Sequence, residues 1–201
     1  MAKIDFEALL NREFRWPRAG DKAFTRAAGW DRNADVEADE RSRLMLMMSG
    51  YKKGADLMVA QARHRFDRNI LVYPIIFNYR QFLELSLKYL IANFGHTVGV
   101  ETNWSTHSLG ELWKRYAEVL DGYHVSDPGG ADEIVAEIVA EFAKIDPNSF
   151  AFRYPVDKKG VAIPISEEQL DLDVLADVMT AAENYFSGSD GYLDSLQSAG
   201  P

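Results

Sequence analysis

The 201-residue chain contains no cysteine and carries a formal net charge of −9. The first fact excludes disulfides, thiolate nucleophiles and cysteine-ligated zinc; the second repels nucleic acid at long range, so any phosphate contact has to be local. With 47% hydrophobic and 12% aromatic residues, the length supports one sizeable core and falls short of two ordinary domains.

Charge is unevenly spread. Residues 1–68 hold 14 Lys+Arg against 11 Asp+Glu, whereas residues 128–201 hold 4 against 14. The start, "MAKIDFEALLNREF", lacks the apolar run and small-residue cleavage site of a secretory signal. No apolar stretch reaches membrane-spanning length, so the expected setting is cytoplasmic, with no membrane partner.

Residues 1–34 read as an arm with a short helix near 4–12, pinned to the body by Phe14, Trp16, Phe24 and Trp30. Residues 35–187 read as a single helical domain. From Asp35, Leu44, Met48, Tyr51, Ala55, Met58 and Ala62 recur at spacings of three and four, which predicts a core-facing helical stripe. Met45, Met47, Met48 and Met58 fit as core filler. Pro74 is placed to open a helix that runs to Gly95, giving a central helix over 73–94 with Phe82, Leu83, Leu87 and Leu90 buried.

Thr106 is the expected cap of the next helix, "HSLGELWKRYAEVL", and "ADEIVAEIVAEFAKI" is a clean amphipathic helix. In "DPNSFAFRYPVDKKGVAIPI", Phe150 and Phe152 alternate on one side of "DKKG" and Val161, Ile163 and Ile165 on the other. That pattern predicts an extended, hairpin-like insertion near 149–165. A last helix starts after a Ser166 cap, and 188–201 reads as a flexible tail. The fold class that results is all-α: an up-and-down bundle of four to five long helices with one short insertion.

Searchable catalytic signatures are missing: no G-x-S-x-G elbow, P-loop, dinucleotide glycine fingerprint or H-E-x-x-H helix. The histidines, His64, His96, His107 and His124, form no helical pair, so neither a metal site nor a cofactor is expected. The unusual stretch is "YRQFLELSLKYLI", where Arg80, Glu84 and Lys88 make a charged ladder up an otherwise apolar helix.

This helix, with the loop and "THSLGELWKRY" that follow it, resembles the HEPN superfamily. There, an R-x-x-x-E-x-x-x-K helix leads through a short loop to H-x-L-x-x-L, matched here by Arg80, Glu84, Lys88, His107, Leu109 and Leu112. "SFAFRYPVDKKG" is similar to an Arg-Tyr-Pro insertion in bacterial proteins of this type, and the resemblance covers roughly residues 40–187. It implies a helical bundle, commonly a homodimer, tied to nucleotide or RNA biology.

Many such proteins are metal-independent ribonucleases with an Arg, four to six residues, then a His. This chain departs from that pattern, since Arg115 and His124 have eight residues between them. The resemblance therefore implies a non-catalytic module that binds a nucleotide, RNA or a protein partner of nucleotidyltransferase or antitoxin type. The alternatives are a divergent endoribonuclease of toxin or defence type, using His107 or His124 with Arg80 or Arg115, and a dimeric scaffold without a small ligand. The candidate ligand-binding residues are Arg80, Glu84, Lys88, His107, Arg153, Tyr154, Lys158 and Lys159. An Arg in an extended apolar segment needs an anion, so Arg153 is expected to pair with Glu84 and leave Arg80 and Lys88, with the two lysines, for a phosphate.

Overall fold

The computed structural model describes residues 16–17, 19–165 and 169–199. The chain divides into two compact units, Met1–Val36 and Glu37–Pro201. In the first, the Asn33 carboxamide closes the turn Trp30–Arg32 by accepting from the Ala27 backbone and donating to the Ala27 and Gly29 carbonyls. Trp16, Phe24 and Trp30 are exposed, without the burial expected of them. Phe14, the helix near 4–12 and the Ser166 cap lie outside the described residues.

The second unit is all-α, with five α-helices among its described residues: α1 Glu40–Gln61, α2 Arg65–Phe94, α3 Leu109–Gly122, α4 Ala131–Ile145 and α5 Leu172–Ala199. No strand occurs among the described residues. α1 begins later than the pattern suggested because the Asp39 carboxylate caps it, accepting from the Ser42 backbone at 2.8 Å. Its stripe buries Ala55 and Val59 and half-buries Leu44, Met48, Tyr51 and Met58, whereas Met45 and Met47 face solvent rather than the core.

α2 is the axis of the bundle and packs against α1, α3 and α5. Its 30 residues span about 45 Å. It opens at Arg65, after an extended His64, and not at Pro74, which sits inside the helix. Proline removes one intrahelical hydrogen bond there. The helix survives it because the turns on both sides are packed: Leu71 and Val72 lie against the core, and Ile75, Ile76 and Tyr79 are buried. Phe82, Leu83, Leu87 and Leu90 are buried as predicted.

Gly95 ends α2 where a Cβ would collide with the Val100 carbonyl, whose own amide donates to Gly95 at 2.8 Å. α3 and α4 are short amphipathic helices: α3 packs against α2, and α4 packs against α3 and α5. α5 does not fray at residue 188 but continues through Ala199, because Leu193 is fully buried.

The insertion between α4 and α5 holds one antiparallel bridge, Val156 to Ala162, around a turn in which Asp157 accepts from the backbones of Lys159 and Val161. The stretch before it is not extended. Arg153 and Tyr154 both donate backbone hydrogen bonds to the Phe150 carbonyl, so residues 150–154 coil into a turn. That turn buries Ala151 and Phe152 while Arg153 and Tyr154 face outward.

Candidate functional site

The charged ladder is buried. Arg80 is 0%, Glu84 2% and Lys88 4% exposed, so it is no wet helix edge. Glu84 is its centre. One carboxylate oxygen, Oε2, accepts from Arg80 Nη1 at 3.1 Å; the other, Oε1, accepts from Lys88 Nζ at 2.9 Å and from His107 Nδ1 at 2.9 Å. Burial pushes this carboxyl up, but the hydrogen bonds from Lys88 and His107 outweigh it and hold the group below the ordinary glutamate range.

Arg80 reaches in three directions. Its Nε donates to the Asp146 carbonyl at 3.0 Å, Nη1 to Glu84, and Nη2 to the His107 carbonyl at 2.7 Å. The Asp146 carboxylate stands 3.6 Å from Nε. Two buried carboxylates thus face two buried cations, a neutral set before His107 is counted.

The ladder holds a loop in place. Arg80 grips the His107 carbonyl, Lys88 donates to the Trp104 carbonyl at 3.3 Å, and Glu84 takes the His107 ring. From the other side, Glu111 accepts from Asn103 at 3.1 Å and from Thr106 at 2.8 Å. These two hydrogen bonds lower its pKa. The cap of α3 is Ser108, which accepts from the Glu111 backbone, and not Thr106. With Glu84 ionised, His107 donates to it through Nδ1, so Nε2 accepts in the neutral ring and donates in the protonated one. No other hydrogen bond of this ring occurs among the described residues.

His107 lines a cleft of about 880 Å³ between the 105–108 loop, the end of α4 and the insertion. Lys144, Lys158 and Lys159 also line it, together with Asn148 and the half-exposed ring of Phe150. Asp146 and Asp157 are the acidic residues of the lining. Asp146 spends its Oδ1 on the backbones of Phe150 and Ala151 and is buried against Arg80, while Asp157 closes its own turn. The cleft is therefore locally basic in a chain of net charge −9.

The predicted residues fall into three groups. Arg80, Glu84 and Lys88 form the buried support, and His107 joins that support to the cleft. Lys158 and Lys159 line the cleft. Arg153 and Tyr154 belong to neither group. The expected Arg153–Glu84 pair does not form: Arg153 donates to the Ser149 carbonyl at 2.6 Å, and its guanidinium packs over the rings of Phe77, Phe150 and Tyr154 at 5.6, 5.0 and 5.6 Å. Aromatic faces replace the anion. Nor are Arg80 and Lys88 free for a phosphate, since both are buried and engaged.

Lys144, Asp146 and Asn148 were not foreseen. The available signal was "DPNS" at the end of an amphipathic helix, where an Asp can satisfy the backbone of the turn that follows. Among the described residues no group of three or more His, Asp or Glu side chains could hold a metal ion, and no helix is long and apolar enough to cross a membrane. No family model, curated protein or solved structure matches the chain.

Proposed function

We propose that the chain is a HEPN-like, non-catalytic module that binds the phosphate of a nucleotide or RNA end in the cleft beside His107. The observation that carries this reading is the pairing of a fixed imidazole with Lys144, Lys158 and Lys159 around one cavity. Phosphate oxygens accept hydrogen bonds from ammonium groups and from a protonated imidazole, and the Phe150 ring offers an apolar face for a base. The likeness to HEPN proteins rests on Arg80, Glu84, Lys88 and His107, whose side chains form one hydrogen-bonded set.

Non-catalytic binding is favoured over cleavage because Arg80, the arginine nearest His107, is wholly buried with all three nitrogens donating. It has no approach to a developing phosphorane charge. One observation favours the second reading, a divergent metal-independent endoribonuclease: a carboxylate-oriented histidine is suited to take a proton. The module is further proposed to be a homodimer, supported by the exposed apolar side chains Leu46, Leu57, Phe66 and Ile70 on α1 and α2.

Calorimetric titration with AMP, comparing the wild type with Lys158→Gln/Lys159→Gln, tests the binding. Saturable binding that the double variant weakens at least about tenfold is expected, from the loss of two charge-assisted contacts. Absence of binding would overturn the proposal. Metal-free cleavage of RNA that His107→Ala abolishes would replace it with the second reading.

A further inference from the structure

A second cavity, of about 720 Å³, lies where the α1–α2 turn meets the start of α5. Arg63, Arg65 and Arg68 line it with the amides of Asn69 and Gln169, and Val72, Leu170 and Leu172 supply an apolar wall. Among the described residues no acidic residue belongs to this lining. The three guanidinium groups are not equally committed. Arg68 donates through Nε to the Ala62 carbonyl at 3.0 Å and through Nη2 to Asp173 at 3.2 Å, a pair exposed to solvent. The side chains of Arg63 and Arg65 have no hydrogen bond or ion pair among the described residues.

We infer that this cavity is a second anion site, which takes a phosphorylated small molecule with its phosphate between Arg63, Arg65 and Arg68 and its uncharged body against Leu170 and Val72. Arg63 and Arg65 line the cavity with no carboxylate of the described residues paired to them, so their like charges repel each other, and a phosphate removes that repulsion while accepting forked hydrogen bonds. Arg68, already anchored by the Ala62 carbonyl, is the fixed member, and the other two close on the ligand. The apolar wall of Val72, Leu170 and Leu172 beside the arginines is why the ligand is assigned a body as well as a charge. This site is independent of the cleft at His107.

The probe is inorganic pyrophosphate, followed by backbone amide NMR and by calorimetry. On titration, the amides of residues 63–69 shift saturably. Arg63→Gln/Arg65→Gln weakens that response at least about tenfold. Arg63→Lys/Arg65→Lys, which keeps the charge but loses the fork, retains part of it. Both positions are exposed, so the variants fold, and circular dichroism checks that they do. Lys158→Gln/Lys159→Gln leaves the response of 63–69 intact, which separates this site from the proposed cleft. Amides 63–69 that stay still, or an Arg63→Gln/Arg65→Gln variant that binds like the wild type, would overturn the assignment.

Discussion

Replacing Glu84 by Gln removes one charge and almost no volume, so it isolates what the carboxylate does. Glu84 accepts three hydrogen bonds, from Arg80, Lys88 and His107, at 2.9–3.1 Å. Hydrogen bonds to charged groups contribute about 1.5–3 kcal/mol each, and desolvating the three partners offsets much of that sum. After the substitution, Arg80 and Lys88 remain buried with only Asp146 as counter-charge, and the new amide N–H₂ points a donor at one of them. Breaking a buried pair in this way costs roughly 3–5 kcal/mol.

Urea denaturation, with an unchanged m-value, is the assay. A double-mutant cycle with Lys88→Met identifies the origin of the loss, because removing both charges at once should cost less than the two single changes added together. A Glu84→Gln loss below about 1 kcal/mol, the range of exposed pairs, would refute the reasoning: the ladder would then be solvated and would hold no loop.

Other consequences are simpler to check. Leu87→Ala leaves a cavity at a fully buried position beside the ladder and should cost about 2–5 kcal/mol by chemical denaturation. Gly95→Ala drives a methyl group into the Val100 carbonyl, so it should destabilise by about 1–3 kcal/mol and loosen amide protection around Val98–Val100. Burial raises the ionisation of Tyr79, Tyr116 and Tyr185 above the ordinary tyrosine value of 10. Their stabilisation is complete below that value and is lost as pH rises from it through the raised folded values, so alkaline unfolding should track tyrosinate absorbance. Glu84 has the opposite sign: its folded value is lowered, so its contribution is present above about pH 4.5 and disappears as pH falls through the folded value.

The helices and the central role of α2 were legible in the sequence because apolar spacing reports burial directly. Phe82, Leu83, Leu87 and Leu90 needed nothing more. Pro74 misled because a proline permits a helix start but does not demand one when the flanking turns are packed. Residues 188–199 misled because Gly188 and Gly191 weaken a helix locally, while the burial of Leu193 is a tertiary fact. The ladder was visible as a spacing, but its burial was not. Spacing along one helix does not report that the backbone carbonyls of Trp104, His107 and Asp146 meet these charges and let them be buried. Arg153 was assigned an anion because its segment was read as extended, whereas the turn at Phe150 carries the side chain onto aromatic rings. The buried Lys52 left only its i,i+4 spacing to Asp56 as a signal, since its second partner, Glu183, lies on a different helix.

The buried ladder holds His107 by its Nδ1 and leaves Nε2 to the cleft. Long-range ¹⁵N–¹H correlation of the imidazole, recorded at a pH where the ring is neutral, reads the tautomer directly. The Nδ1–H form is expected in the wild type, and its loss in Glu84→Gln. An Nε2–H ring in the wild type, or a tautomer that ignores residue 84, would contradict it.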